Sequence, residues 1–323
     1  MVDFGYTPNP VATRKFVGSL DYPTGEDVPI FRQALAETDA YLWMGMNKAT
    51  GPNWKRINQT IGDCVSQGHA LGASFIIGNL FARGLTEWIA EVASEALYGG
   101  MRVEARGGKL GGYSDGWYGS GAVKYMKDDG GVVLRIDYSK ETGNPEHDLR
   151  VYDGTGKAKQ WGNYGCGGKN DNGKLDAIAK KHPIEDATLI TTIEAAIAAH
   201  QRGLPITICS DVGFETGDGR NRIMTMRDAN GVSRRAGSWN HCMVSGGLRW
   251  FNGRPQFRIF NSHGPSVGGP DPDFTGDKGY SDCSWWCTEE DFYSIIRQED
   301  SFALSPVKNF EMPPWDFTND ILI

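Results

Sequence analysis

The sequence predicts an α+β protein in two lobes, with helices first and strands last. A long low-polarity stretch with helical spacing runs through residues 64–84, and residues 191–201 form a second helix closed by Gly203. Residues 204–210, 242–250 and 256–260 are apolar and β-prone, and Asn252-Gly253 supplies a hairpin turn between the last two. With 39% apolar and 23% charged residues in 323, the chain can bury a core in one large domain or two modest ones.

The remaining elements follow in chain order. Residues 1–50 begin with Pro and Gly punctuation and contain a short helical piece over 30–41. They read as an N-terminal extension that packs on a main domain of residues 51–305. A helix is expected over 86–99, where Trp88, Ile89, Val92, Ala96 and Leu97 approximate one face. Residues 99–121 are Gly-rich loop with Arg102, Arg106 and Lys109 interleaved, ending in a helix near 121–127. Short strands or extended pieces are expected over 132–138 and 149–152. Residues 153–174, rich in Gly, Asn and Lys, read as a long surface excursion. The tail, 306–323, carries Pro306, Pro313 and Pro314 and is expected to run extended over the surface.

Composition narrows the function classes. A net charge of −7 argues against a nucleic-acid partner, which requires a basic surface. No stretch is long and apolar enough to span a bilayer. The first residues carry no basic segment followed by an apolar run, so a cytoplasmic start is expected. The six cysteines are 64, 166, 209, 242, 283 and 287. Cys283 and Cys287 flank Ser-Trp-Trp without the further ligands of a zinc site, so packed thiols are expected and no metal or organic cofactor is implied.

Chemistry concentrates around Cys64. It opens the long helix, where the positive end of the helix dipole favours a thiolate. Gln59 precedes it; Asn240-His241 stands at a strand start and Asn261-Ser262-His263-Gly264 at a strand end. Cys, His and Asn in that order, with a Gln before the Cys, make the residue set of a thiol peptidase.

At these residues the chain resembles the papain-like cysteine peptidases. The resemblance rests on Gln59-Thr60-Ile61-Gly62-Asp63-Cys64, on Asn240-His241-Cys242-Met243-Val244 and on Asn261-Ser262-His263-Gly264. Weaker echoes lie at 94–98, 115–132 and 286–296, so it covers roughly residues 52 to 300. It implies a helical N-terminal lobe, an antiparallel barrel or sheet lobe, and a cleft between them that takes an extended peptide. It further implies Cys64 as nucleophile, His241 as its ion-pair partner and acid, and Asn261 as the group orienting the His ring. Gln59 and the Cys64 N–H would be the oxyanion donors.

The chain departs from the family pattern. Gln59 lies one residue nearer the nucleophile than usual. Asp63 stands where a small residue is usual; it suits a helix N-cap but places negative charge beside the thiol. Val65 replaces an aromatic residue. His263 replaces the Trp that shields the His–Asn contact, a cover that Trp285 or Trp286 is expected to supply. The Cys-to-His separation exceeds the ~130 to 150 residues of compact members. The partner of the family's usual bridge is Ile61, which suits a reducing compartment. His69 and His263 read as structural.

The first reading is thus a peptidase acting on peptide or protein substrates. The second is a papain-fold structural or binding subunit of a larger assembly such as a virus or phage particle, using its terminal extensions and Gly-rich loops. A third keeps the thiol chemistry for an amidase, transferase or cell-wall peptide hydrolase.

Overall fold

The computed structural model describes residues 2–32, 36–51, 57–108, 114–216, 225–273 and 283–308. Strand β1 (Val2–Asp3) and helix α1 (Pro10–Val17) come first. Asn9 caps α1 by accepting the Ala12 N–H at 3.1 Å, and Pro10 sits where its missing N–H would be unused. A 3₁₀ turn (Pro29–Arg32), strand β2 (Ala40–Tyr41) and helix α2 (Met44–Thr50) follow. Of the helical piece expected over 30–41, residues 33–35 lie outside the described residues, and of the rest Ala40 and Tyr41 instead pair with Leu248 and Gly247 of the main sheet. Phe4, Tyr6, Phe16, Leu20 and Phe31 of the N-terminal segment belong to the main hydrophobic core.

Helix α3 (Cys64–Ala82) runs through the centre of the molecule. It is apolar on nearly every face and buried on nearly every face, as a helix surrounded by protein must be. Helix α4 (Ser94–Arg102) begins later than expected, because the preceding residues are drawn into tertiary pairing. Val92 bridges Leu134, and the Ala93 N–H donates to the Val133 carbonyl at 2.9 Å. Residues 132–138 and 149–152 form no strand of the sheet but pair locally: Leu134 bridges Val92, Asp137 bridges Asp148, and the Leu149 N–H donates to the Ile136 carbonyl at 2.9 Å.

Helices α5 (Gly119–Lys124) and α6 (Ser139–Thr142) lead to the segment expected as a surface excursion. It is folded inward: a wide turn (Gly154–Ala158) runs into α7 (Lys159–Tyr164), and α8 (Lys174–Ala179) follows. Trp161 of α7 is fully buried, edge-on to His147 at 5.8 Å. His147 in turn bonds the Thr142 hydroxyl at 2.8 Å and the Gly167 carbonyl at 3.0 Å. Truncating Trp161→Ala is expected to destabilise the protein by about 3–5 kcal/mol, as for other large buried aromatics. Urea unfolding measures this; a loss below about 1 kcal/mol would restore the surface reading.

The second half supplies the sheet. Strand β3 (Ala187–Leu189) and helix α9 (Ile193–Gln201), capped by Thr192, precede β4 (Ile206–Phe214), β5 (Thr225–Met226), β6 (Arg235–Phe251), β7 (Arg254–Phe260), β8 (Val267–Gly268) and β9 (Ser284–Thr288). Helix α10 (Glu289–Ile296) and strand β10 (Phe302–Leu304) complete the described chain. The order β3-β10-β4-β6-β7-β9 is antiparallel throughout. Asn252 (φ 53°) and Gly253 (φ 72°) turn the β6–β7 hairpin as expected. Beyond Val244, β6 pairs with β7; before it, β7 has departed and β1 lies along β6 in parallel, Val2 opposite Trp239 and Asp3 opposite Asn240. His241 sits at this fork. The tail beyond residue 308 lies outside the described residues. No helix among those described is long and apolar enough to cross a membrane.

Candidate active site

Cys64 is the first residue of α3 and is fully buried. Asp63 occupies the N-cap position but makes no capping bond with its side chain. The expectation of a capping Asp is corrected by its partners: Oδ2 accepts from Gln67 Nε2 at 2.8 Å and from the Tyr152 hydroxyl at 2.8 Å. Burial pushes the Asp63 carboxyl up to about 7, against the lowering effect of those two bonds. Near neutral pH the charge beside Cys64 is thus weaker than the sequence suggested.

His241 lies in β6, opposite Ser210 of β4, and is buried. Asn261 follows the end of β7. Its Oδ1 accepts the backbone N–H of Ser262 at 2.8 Å, which fixes which amide atom is oxygen, and lies 2.7 Å from His241 Nε2. Nε2 is therefore the protonated nitrogen, donating to Asn261. Nδ1 of the neutral ring keeps its lone pair, and it is buried with no hydrogen-bond partner among the described residues. Burial, then the neighbouring His263, lower the His241 pKa to about 3, and the Asn261 bond only partly offsets them.

The first turns of α3 pack on the same stretch of β6. Gly68 lies against the Met243 carbonyl and the Cys242 sulfur. Gln59 is tied to the far end of β7: its N–H donates to Ser262 O at 2.8 Å, and its Oε1 accepts from the Ser262 hydroxyl. Asn58 bridges His263. The structure thus brings Gln59, Asn261 and His241 into one cluster through Ser262, while Cys64 begins the helix whose first turns pack on β6.

The sequence did not reveal what fills this cleft. Residues 2–7 cross it as a strap. Both Phe4 N–H and Tyr6 N–H point to the Asn240 carbonyl, at 3.0 and 3.4 Å. On the other wall, Trp117 N–H donates to Gly5 O at 2.8 Å and Thr7 N–H to Trp117 O at 2.8 Å. The Phe4 ring packs on His241 (4.7 Å) and on His263 (4.5 Å), and the two imidazoles stack at 5.1 Å. The cover expected from Trp285 or Trp286 is supplied by Phe4 and His263; Trp285 packs on Phe214, and Trp286 on Trp43 and Tyr41. Gln59 Nε2 donates to the Phe4 carbonyl at 3.1 Å and to Ile61 O at 3.0 Å. Gly5, at φ +107°, lies so close to Gly62 that an added Cβ would sit 2.0 Å from its carbonyl oxygen. Beyond the strap the cleft continues as a cavity of about 180 Å³, floored by Trp117 and Tyr118 with Arg106 over the Trp117 ring.

Cys209 and Cys242, for which the sequence offered no pairing, meet in the sheet. Cys209 and Cys242 face each other across β4 and β6 and form a disulfide beside His241. Spacing could not reveal it, because only the register of the two strands makes the cysteines neighbours. With a bridge present, the cysteines no longer favour a reducing compartment. Cys64, Cys166, Cys283 and Cys287 are not in this disulfide and are buried. Among the described residues no group of three or more His, Cys, Asp or Glu is placed to hold a metal.

This architecture recurs in solved cysteine proteases. Xylellain, a cysteine protease from Xylella fastidiosa, superimposes over 94% of this chain and 96% of its own, with a TM-score of 0.56 and 16% identity. The chain has a papain-like fold. Procathepsin B S9 from Trypanosoma congolense matches over 94% of this chain and 86% of its own (TM-score 0.54, 14% identity). The ragweed pollen allergen Amb a 11, a cysteine protease in its proform, matches over 94% and 76% (TM-score 0.53, 14% identity). No protein-family model matches the sequence, and no curated protein matches it. At these identities the likeness establishes the papain-like fold; the chemistry rests on the residues themselves.

Proposed function

We propose that the chain is a papain-like cysteine peptidase whose cleft is closed by its own N-terminal strap. The observation that carries this is the His241–Asn261 pair. A neutral ring donates from Nε2 to Asn261 and holds the lone pair of Nδ1 buried and unpartnered among the described residues, beside a helix that begins with a cysteine. In the reaction, the Cys64 proton passes to His241 Nδ1 and the sulfur adds to the substrate carbonyl carbon. The resulting oxyanion is held by Gln59 Nε2 and the Cys64 N–H. Nδ1–H then protonates the leaving amine, the C–N bond breaks and a thioester remains. Water, giving its proton to Nδ1, adds to the thioester; the acid leaves and the thiol is restored.

The Phe4 carbonyl on Gln59 Nε2 stands where a substrate carbonyl oxygen would be held. Phe4 also excludes water from His241, which keeps the ring neutral. An ion pair with Cys64 needs an imidazolium, so strap closure and an activated thiol oppose each other. Gln59→Ala is expected to lower kcat on a peptide substrate by about a hundredfold or more. Equal turnover in the variant would remove Gln59 from the oxyanion site. The particle-subunit reading finds no support in the matches.

A further inference from the structure

Strand β6 has little lateral support where it carries His241. It pairs with β7 from Val244 onward and with β1 at Trp239 and Asn240. At residues 241–243 its strand neighbour among the described residues is β4 alone. The β4–β6 register is regular from Ile206–Ser245 to Ser210–His241 and shifts directly afterwards, between Ser210 and Val212. The Cys209–Cys242 bridge joins the pair next to His241, about 3.8 Å of chain from that residue's Cα.

Both cysteines of the bridge are fully buried, and their sulfurs are walled in by helices. A methyl group on Gly119 of α5 would lie 3.0 Å from the Cys209 sulfur. One on Gly68 of α3 would lie 3.3 Å from the Cys242 sulfur and 2.9 Å from the Met243 carbonyl. Gly119 is held in turn by its N–H, which donates to the buried Asp300 carboxyl at 2.8 Å. Space beside Cys242 is a cavity of about 30 Å³ that Gln67, Asn261 and Ser262 also line. Asn261 bonds the His241 ring, and Ser262 bonds Gln59.

We propose that the Cys209–Cys242 bridge positions His241, and that its reduction by a dithiol loosens the ring from Asn261 and slows the chemistry of Cys64. The Cys64 half rests on the peptidase reading; the positioning half does not. One thiolate of the dithiol attacks a bridge sulfur, the S–S bond breaks and a mixed disulfide forms. The second thiol then displaces the protein sulfur. The dithiol leaves as a cyclic disulfide, having given up two electrons and two protons, and the protein keeps two thiols. Bonded sulfurs lie about 2.0 Å apart, whereas unlinked ones need roughly 3.5 Å or more. With α5 against one sulfur and α3 against the other, the displacement passes into β6 and into the cavity that Asn261 lines. A hydrogen bond as short as that of His241 to Asn261 weakens steeply when it is misaligned. Reductants protect a nucleophilic thiol from oxidation, so slower chemistry at Cys64 after reduction is opposite to the effect on the thiol alone.

The positioning half is tested on the full-length protein reduced with dithiothreitol and, separately, on full-length Cys209→Ser/Cys242→Ser, whose pair cannot be linked. NMR of nitrogen-15 histidine-labelled protein follows the Nε2–H of His241, assigned by its loss in His241→Ala. Loss of the bridge should speed exchange of that proton with water by about tenfold or more, while amides of α9 and of the β6–β7 hairpin stay within about twofold. Ring exchange within about twofold of the bridged protein would overturn the proposal, as would equal acceleration at the ring, α9 and the hairpin, which marks a staple of general stability. If the bridge resists the reductant, the serine variant decides; if that variant does not fold, the reduced protein decides.

The Cys64 half is tested by iodoacetamide alkylation of a chain opened by Gly5→Ala, with the bridge intact or replaced by the two serines. Cys64 should react about tenfold more slowly at neutral pH without the bridge, and the midpoint of its pH profile should rise. An unchanged Cys64 rate and midpoint beside a faster ring proton would overturn this half. If Cys64 reacts no faster than Cys166, Cys283 and Cys287 with the bridge intact, this half falls with the peptidase reading, and the ring proton still decides the other.

Discussion

Gly5→Ala is expected to raise the rate at which Cys64 is alkylated in the full-length protein by about tenfold or more. Gly5 holds φ +107°, a conformation that alanine adopts only under strain, and its Cα faces the Gly62 carbonyl with no room for a methyl group. Neither side can yield cheaply, because both contacts are backbone. The strap must therefore lift where it crosses the segment leading into Cys64. Elsewhere the strap is held by the parallel pairing of β1 with β6, by backbone bonds to Asn240 and Trp117 and by the contacts of Phe4 and Tyr6, all of them off the path β3-β10-β4-β6-β7-β9. The fold should survive: Cys166, Cys283 and Cys287 should remain as slow to react as in wild type. Uniform acceleration at all four cysteines would mean unfolding rather than opening. An unchanged rate at Cys64 would mean that the strap does not guard it.

His241→Ala, introduced into the opened Gly5→Ala chain, is expected to slow Cys64 alkylation at neutral pH by about a hundredfold. The lone pair on Nδ1 is then gone and the thiol must ionise unaided. The histidines also predict how opening depends on pH. In the closed state burial lowers His241 to about 3 and His263 to about 4. Once Phe4 lifts, both regain values near the ordinary 6.5, so opening takes up two protons as pH falls below that value. Asp300 works the other way: held up at about 7 while buried, it releases a proton when hydrated. Asp63, bound by Gln67 and Tyr152, is common to both states. The net uptake is about one proton, so opening should grow by up to about tenfold per pH unit between pH 6 and 4. Hydrogen exchange of residues 2–7, corrected for its intrinsic pH dependence, measures this; opening that grows with rising pH would contradict the assignment.

The elements that the sequence displayed most clearly are those set by local pattern. Helix α3 is continuous in apolar spacing, α9 carries its own Thr192 cap, and the β6–β7 hairpin is written in Asn252-Gly253. What stayed hidden depends on partners remote in the chain. Residues 153–174 look like loop because glycine and asparagine dominate, yet the burial of one Trp161 folds them inward. Residues 86–93 have a helical face but lose the helix to pairing with 133–134. At the candidate site, Gln59, Cys64, His241 and Asn261 stand out in the sequence because their residue types suit one chemistry in one order. The strap does not, since Phe4, Gly5 and Tyr6 carry no periodicity and matter only for where they lie. The Asp63 carboxyl and the Cys209–Cys242 bridge are likewise products of tertiary placement.

The central claim is that Cys64 is an activated nucleophile once the strap is lifted. It is tested most directly by treating the full-length Gly5→Ala protein at neutral pH with an epoxide-type cysteine-peptidase probe and mapping the adduct by peptide mass analysis. A single adduct is expected, on Cys64, that disappears when His241→Ala is added. Adducts spread over Cys166, Cys283 and Cys287, or none on Cys64, would contradict it and leave a papain-like fold without the chemistry.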